Sequence, residues 1–283
     1  MPDDGKPTTA AYYRSEQVEL VRSTCLYIAT KLGDLKDDLV VVGGLVPSLL
    51  IDGNALPGGT EPHVGTMDLD IGLTVGLLSK GRYRTLTERL RLAGFSPDRS
   101  EKGRPTRQRW RIDGPEKVSV DFLIAPSNEG DRGGALRNIE PDFAAIIAPG
   151  LHLAFEDREE IVLSGHTIRG EQASRAIWVC GPGAYVVLKA IAFDRRGENK
   201  DAYDLFYLVR NFGTGIEDIV ARLRPLLDDS ATQEALKIIR RDFTRHDGVG
   251  PARVAEFITG GRDDVVQADV AGFLTVLLNA IAG

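Results

Sequence analysis

The side chains able to do chemistry form a short ordered series. Gly43 and Gly44 follow the β-branched run Leu39–Val42. Asp68 and Asp70 come next, in a segment where Asp68, Asp70 and Gly72 alternate with Met67, Leu69 and Ile71. Asp121 then stands inside the apolar run VSVDFLI. Residues i and i+2 of a strand share one face, so Asp68 and Asp70 are expected to repel each other. A divalent cation relieves that repulsion, and Mg²⁺ suits it because it takes hard oxygen ligands that it shares with phosphate. A carboxylate inside a run as apolar as 118–124 is costly unless it is paired or metal-bound. If the two strands are neighbours, three carboxylates converge, and such a set can hold two metals for in-line attack at phosphorus. A glycine pair between strand and helix lets backbone N–H groups come close to a phosphate. Alone, an Asp-x-Asp is more often a solvated surface pair and a Gly-Gly a turn. The specific signal is the ordered set.

Those residues need particular elements to hold them. Apolar positions Val18, Val21, Cys25, Ile28 and Leu32 step by three or four and predict a helix over 17–33. Residues 39–42 predict a buried strand and 45–51 the start of a helix. The Gly- and Pro-rich stretch 52–65 (DGNALPGGTEPHVG) predicts a loop. Further strands are expected over 66–74, 107–112 and 118–124, the last two joined by a hairpin turn at 113–116, with a helix over 83–93. Beyond residue 150, strands are predicted at 151–155, 160–163 and 176–180. Helices are predicted at 185–193, 201–211, 216–227, 232–243 and 266–282. The expectation is an α+β protein: a mixed sheet with flanking helices over residues 1–170, then a helical part over 171–283 that completes the active site.

Composition narrows the class. The 283 residues are 42% hydrophobic and 27% charged, which suits a globular fold. The net charge of −6 makes nonspecific nucleic-acid binding by the whole surface a poor expectation. Between Lys80 and Arg111, however, eleven basic residues stand against three acidic ones, which predicts a local phosphate-binding patch or a solvated helix face. Trp110, inside that segment, is expected to be core rather than a base-stacking platform. Two cysteines, Cys25 and Cys180, are too few for a disulfide scaffold or a cysteine zinc site, and the four histidines are scattered. No apolar run of membrane-spanning length is expected, and MPDDGKPTTAAYYRSE has no apolar core of a signal peptide. The expected location is cytoplasmic.

The order strand–Gly-Gly–helix, Asp-x-Asp, third Asp resembles the polymerase-β-type nucleotidyltransferase superfamily. The stretch from Val187 to Leu205, VLKAIAFDRRGENKDAYDL, resembles the helix–loop–helix signature of AbiEii-type nucleotidyltransferases, toxins of bacterial toxin–antitoxin and phage-defence systems. The resemblance spans roughly 38 to 210. It implies that Asp68 and Asp70 bind Mg²⁺ and through it a nucleoside triphosphate. It further implies that Asp121 shares a metal and helps deprotonate the acceptor hydroxyl, and that Lys189 contacts the triphosphate. Asp204 belongs near the same pocket, Lys200 and Asp201 flank it, and either Arg195 or Arg196 adds a phosphate contact. Read from chemistry alone, Lys189 could be a snorkelling surface lysine, and Asp201 and Asp204 first-turn charges of a helix. The chain departs from the superfamily pattern at Val42 and Leu45, which flank the glycines where relatives carry Lys or Ser. It departs also in the 24-residue gap from Gly44 to Asp68.

The implied activity is transfer of a nucleoside monophosphate from an NTP to a macromolecular hydroxyl, a tRNA 3′ end or a protein side chain, with a cognate antitoxin as partner. The alternatives are a small-molecule, antibiotic-modifying nucleotidyltransferase and a degenerate module of the same fold that only binds.

Overall fold

Each strand that carries a candidate residue is apolar on one face and polar on the other, and the sheet is assembled accordingly. The computed structural model describes residues 7–78, 82–100, 103–112 and 118–283. Lys80, Lys102 and the expected turn at 113–116 lie outside them. In chain order the helices and strands are α1 (Ser15–Lys31), β1 (Leu39–Val42), α2 (Val46–Leu50), β2 (Asp68–Leu73), α3 (Arg82–Leu92), β3 (Phe95–Arg99), β4 (Pro105–Ile112) and β5 (Val118–Ile124). These are followed by β6 (Leu136–Glu140), β7 (Phe143–Ile147), α4 (Leu153–Glu156), β8 (Arg158–His166) and β9 (Gln172–Cys180). The rest is helical: α5 (Pro182–Arg196), α6 (Asn199–Asn211), α7 (Ile216–Leu223), α8 (Ser230–Asp242), α9 (Val249–Thr259) and α10 (Asp264–Ala282). The protein is thus α+β, with a mixed sheet, flanking helices and a helical C-terminal part.

The expected division at residue 170 is not a single cut. Residues 16–46 and 66–180 form one compact unit, which holds the whole sheet. The other unit combines the chain up to residue 15, residues 47–65 and residues 181–283. The segment 47–65 joins the helices because His63, Val64 and Glu61 are tied to α6, as described below.

In the sheet unit the strand order is β3-β4-β5-β2-β1-β9-β8, with β7 paired to β5 and β6 to β7. β2 runs parallel to β5 with Leu69 opposite Val120 and Ile71 opposite Phe122, and β4 runs antiparallel to β5 with Trp110 opposite Val120. These residues share one face and are buried. Trp110 is fully buried, its ring 5.8 Å edge-on from Phe143, so it is core. Phe143 also meets Phe122 and, from α3, Tyr83. α1 is anchored by its Tyr27, whose hydroxyl donates to the Ala93 carbonyl at 3.0 Å. Cys25 and Cys180 are both buried free thiols, and burial pushes the Cys25 thiol up to about 12.

Several elements differ from expectation. Residues 151–155 predict a strand but lie in a turn and the short α4. β3, β6, β7 and α9 carry no clear periodic signal. β3 contains Pro97, which an edge strand tolerates because one side of its backbone needs no ladder partner. The strands predicted at 160–163 and 176–180 are parts of a longer hairpin, β8–β9. The expected absence of a long apolar run also needs correction. α10 is long and apolar enough by length and composition to cross a membrane, and 33% of that stretch is buried within the protein.

In the helical unit α6 packs on α5 and α9, and α10 on α9, α7 and α6. Phe193 of α5 meets Phe243, just past α8, edge-on at 4.9 Å. Asp229 caps α8 by accepting from the Ala231 and Thr232 N–H groups, and Asp263 caps α10 in the same way through Val265 and Val266.

Candidate functional site

The first group of candidate residues lies on the polar face of the sheet. Register sets Asp70 opposite Val42 on one side and opposite Asp121 on the other, so the carboxylates of β2 and β5 are direct neighbours. Asp68, two residues earlier on β2, shares their face. Gly43 closes β1 with φ +73°, and a Cβ there would lie 1.9 Å from Asp70 Oδ2. The glycine is therefore needed twice, for its left-handed backbone and for the room it leaves the carboxylate. Gly44 is buried in the same 3₁₀ turn. The helix expected after it is only the five-residue α2, too short for a substantial dipole at its N-terminus.

Asp121 is 5% exposed and already has a partner. Arg109, opposite it across the β4–β5 pair, donates from Nε to Oδ1 at 2.9 Å and from Nη2 to Oδ2 at 2.8 Å. This two-pronged grip is the strong form of the Arg–carboxylate bond. Among the described residues, no group of three or more His, Cys, Asp or Glu is arranged to hold a metal ion. Asp68 and Asp70 have the hard oxygen donors that Mg²⁺ takes. Asp121 lies beside Asp70 but faces a guanidinium. As it stands the sheet face assembles, among the described residues, no three-carboxylate metal set, and Asp121 is engaged by Arg109. Arg109 was legible only as one basic residue among eleven.

The second group lies within the helical unit. Lys189 of α5 is 7% exposed, which excludes a snorkelling surface lysine. Its Nζ lies 3.0 Å from Asp201 Oδ1 and 2.8 Å from Asp204 Oδ2, both on α6 and both buried. Arg196 grips Asp201 from the other side, with Nη2 at 2.7 Å from Oδ2, and Lys200 pairs with Asp204. Arg195 is exposed. Of the two arginines, Arg196 is thus the one bound into this cluster. Asp201 does stand in the first turn of α6, but its charge is used in these ion pairs.

His63 completes the group from a sequence distance of 141 residues. The Gly65 N–H donates to Nδ1 at 3.0 Å, so Nε2 carries the ring proton and donates to Asp204 Oδ1 at 2.8 Å. The ring stacks on Tyr203 at 5.3 Å and meets Tyr207 edge-on. The Val64 N–H donates to the Tyr203 hydroxyl, and the Tyr207 hydroxyl donates to the Glu61 carbonyl. Burial, reinforced by Lys200, pulls His63 down to about 4. Burial also opposes charge on Lys189 and Asp204, but their mutual attraction outweighs it. The ammonium is held above the usual lysine range and the carboxyl below the usual carboxylate range. No sequence pattern signals His63 or the two tyrosines, because their partners are brought together only by folding.

The basic segment 80–111 is largely neutralised in space. Arg82 pairs with Asp38 at 2.8 Å and Arg111 with Asp98 at 3.0 Å; Arg89 pairs with Asp34, Arg91 with Asp142, and Arg109 with Asp121. Arg84, Arg99, Arg104 and Arg107 remain surface groups.

No family model matches the chain, and no curated protein matches it. Among solved structures, an antigenic nucleotidyltransferase-like protein from Paracoccidioides brasiliensis is similar at 17% identity, with a TM-score of 0.42, over 76% of this chain and 93% of that one.

Proposed function

We propose that the protein is a nucleotidyltransferase, moving a nucleoside monophosphate from an NTP to a hydroxyl. The observation that carries this reading is the sheet-face arrangement: Asp68 and Asp70 on β2, Asp121 alongside on β5, and Gly43 turned against the Asp70 carboxylate. Asp68 and Asp70 would hold Mg²⁺, which when bound supplies charge neutralisation at the transferring phosphate. The acceptor oxygen bonds to the α-phosphorus as the α–β bridging oxygen leaves with pyrophosphate. Asp121 receives the hydroxyl proton once its carboxylate is released from Arg109. Arg109 offers a fork that fits phosphate as well as carboxylate.

The finer reading is a macromolecular acceptor, an RNA 3′ end or a protein hydroxyl, in a toxin neutralised by a cognate antitoxin. The resemblance of 187–205 to AbiEii-type proteins supports it. A small-molecule acceptor gains weight because five arginines of the basic segment are neutralised. A binding module without catalysis is favoured by the Arg109–Asp121 pair, since it occupies the third carboxylate.

The test is a transfer assay with Mg²⁺, each α-³²P NTP in turn and total bacterial tRNA, using Asp70→Asn as control. Label entering tRNA in the unsubstituted protein only supports the RNA acceptor, and label on protein alone supports protein nucleotidylation. No label on either, together with no pyrophosphate release in the presence of aminoglycosides, favours the binding module.

A further inference from the structure

The face of the sheet opposite Gly43 and Asp70 holds a cleft that the proposed reaction does not use. Along β1 and β2, Val42 stands opposite Asp70 and Val41 opposite Ile71, so Val41 and Ile71 point to the other face. Cys25, Ile28 and Ala29 of α1 form one wall of the cleft, and Val41, Ile71 and Ala176 of the sheet form the other. Small side chains leave the space. Ala29 and Ala176 both line it, and a Cβ added to Gly33, just past α1, would find nothing within 4 Å. The walls are apolar, and burial holds the Cys25 thiol protonated. An ordered water needs roughly two to four polar partners, which such walls do not offer. The room for a guest's atom centres is about 40 Å³, against about 10–15 Å³ for one water. That suits one small ring or a short alkyl group and is too small for a nucleotide.

The lining reaches solvent at Lys36, in the 3₁₀ turn Gly33–Asp38, and at Trp178 of β9. The charges at this end are already balanced. Lys36 pairs with Glu160 of β8. Trp178 is fixed by its Nε1, which donates to Asp37 Oδ1 at 2.9 Å, and by the Arg158 guanidinium 4.1 Å over its ring. Two cations thus stand with two carboxylates, and a charged guest would have to break a pair, whereas an uncharged one would not. The side chains of Lys36 and Glu160 are 28% and 49% exposed. An ion pair so exposed contributes little, so it opens readily to a guest passing the mouth. We infer that the cleft between α1 and the sheet is a binding site for a small uncharged apolar molecule, one ring or a short alkyl chain. This goes beyond the nucleotidyltransferase reading and does not depend on it.

The test measures binding to the full chain, with benzene, indole and hexan-1-ol as probes and hexanoate as the charged counterpart. Benzene should shift the methyl resonances of Ile28 and Ile71 in NMR spectra and leave those of Ile238 and Ile239, on α8, in place. It should also raise the unfolding midpoint as its concentration rises, because a guest that binds only the folded chain stabilises it by mass action. Ala29→Leu and Ala176→Leu fill the cleft from its two walls, and each should abolish both effects. Because they sit on different elements, one remains informative if the other fails to fold. Hexan-1-ol should bind about tenfold more tightly than hexanoate, whose charge must leave water or displace one of the pairs. The inference is overturned if no probe moves the Ile28 and Ile71 methyls, or if the filled variants respond as the unsubstituted protein does. Hexanoate binding as tightly as hexan-1-ol would overturn the assigned class of guest.

Discussion

Gly43 shows how tightly a single residue type constrains the candidate site. Its φ of +73° is a backbone region that costs an L-residue about 1–2 kcal/mol, and an added Cβ would sit 1.9 Å from Asp70 Oδ2. Gly43→Ala is therefore expected to lower stability by about 1–2 kcal/mol or more in urea unfolding. It should also displace the Asp70 carboxylate, so that nucleotidyl transfer is expected to fall as for Asp70→Asn; an alanine variant with unaltered transfer would show that the carboxylate has another place to go. His63 makes a second prediction at this scale. It is buried neutral, at about 4 against an ordinary 6.5. Between those values the unfolded chain binds a proton that the folded chain refuses, so stability rises with pH across this window and is lost as pH falls from 6.5 toward 4. The shift corresponds to about 3 kcal/mol at most. His63→Gln should flatten that part of the stability–pH curve while leaving the steeper loss below it, where Asp201 and Asp204 take up protons in the unfolded chain but are held ionised in the folded one. Unfolding followed from about pH 2 to 7 measures both.

At the scale of elements, α5 and α6 are joined by buried charge as well as by apolar contact. Lys189 faces Asp201 and Asp204, and all three are nearly inaccessible. Removing one partner of such a set leaves uncompensated buried charge and typically costs about 3–5 kcal/mol. Lys189→Met should therefore destabilise the fold by an amount of that order. A Lys189→Met protein as stable as the unsubstituted chain would return the lysine to a purely ligand-binding role. Elements also mark where sequence spacing sufficed and where it did not. β1, β2, β5, α1, α3 and α6 fall close to the ranges their sequence patterns predict. α9 was missed because it opens with Val249-Gly250-Pro251, a string that reads as a loop. Gly250 is there for contact: a Cβ would lie 2.3 Å from the Phe243 ring. β6 and β7 form a local hairpin that was missed because no clear alternation announces either strand.

Across the whole molecule, charge counted along the chain and charge presented in space are different quantities. The eleven basic residues of 80–111 suggested a nucleic-acid patch, but acids from distant positions, Asp34, Asp38 and Asp142 among them, pair with its arginines. Among the described residues of this segment, Arg84, Arg99, Arg104 and Arg107 are the exposed arginines to test for RNA contact. Arg104→Glu with Arg107→Glu should reduce labelling of tRNA several-fold and increase its sensitivity to salt, whereas Arg89→Glu should act mainly through stability. Equal effects on labelling at matched stability would remove the distinction. The order Gly-Gly, Asp-x-Asp, Asp could be read from the linear chain because each feature is a short local pattern on one strand or turn. The side-by-side placement of Asp70 and Asp121 could not, since it depends on β2 and β5 becoming neighbours across some fifty residues of chain. The pairing of Arg109 with Asp121, of Lys189 with two aspartates, and of His63 with Asp204 depends likewise on burial. Taking a charge out of water forces it to find a partner, and which partner is within reach is set by packing, not by spacing in the chain.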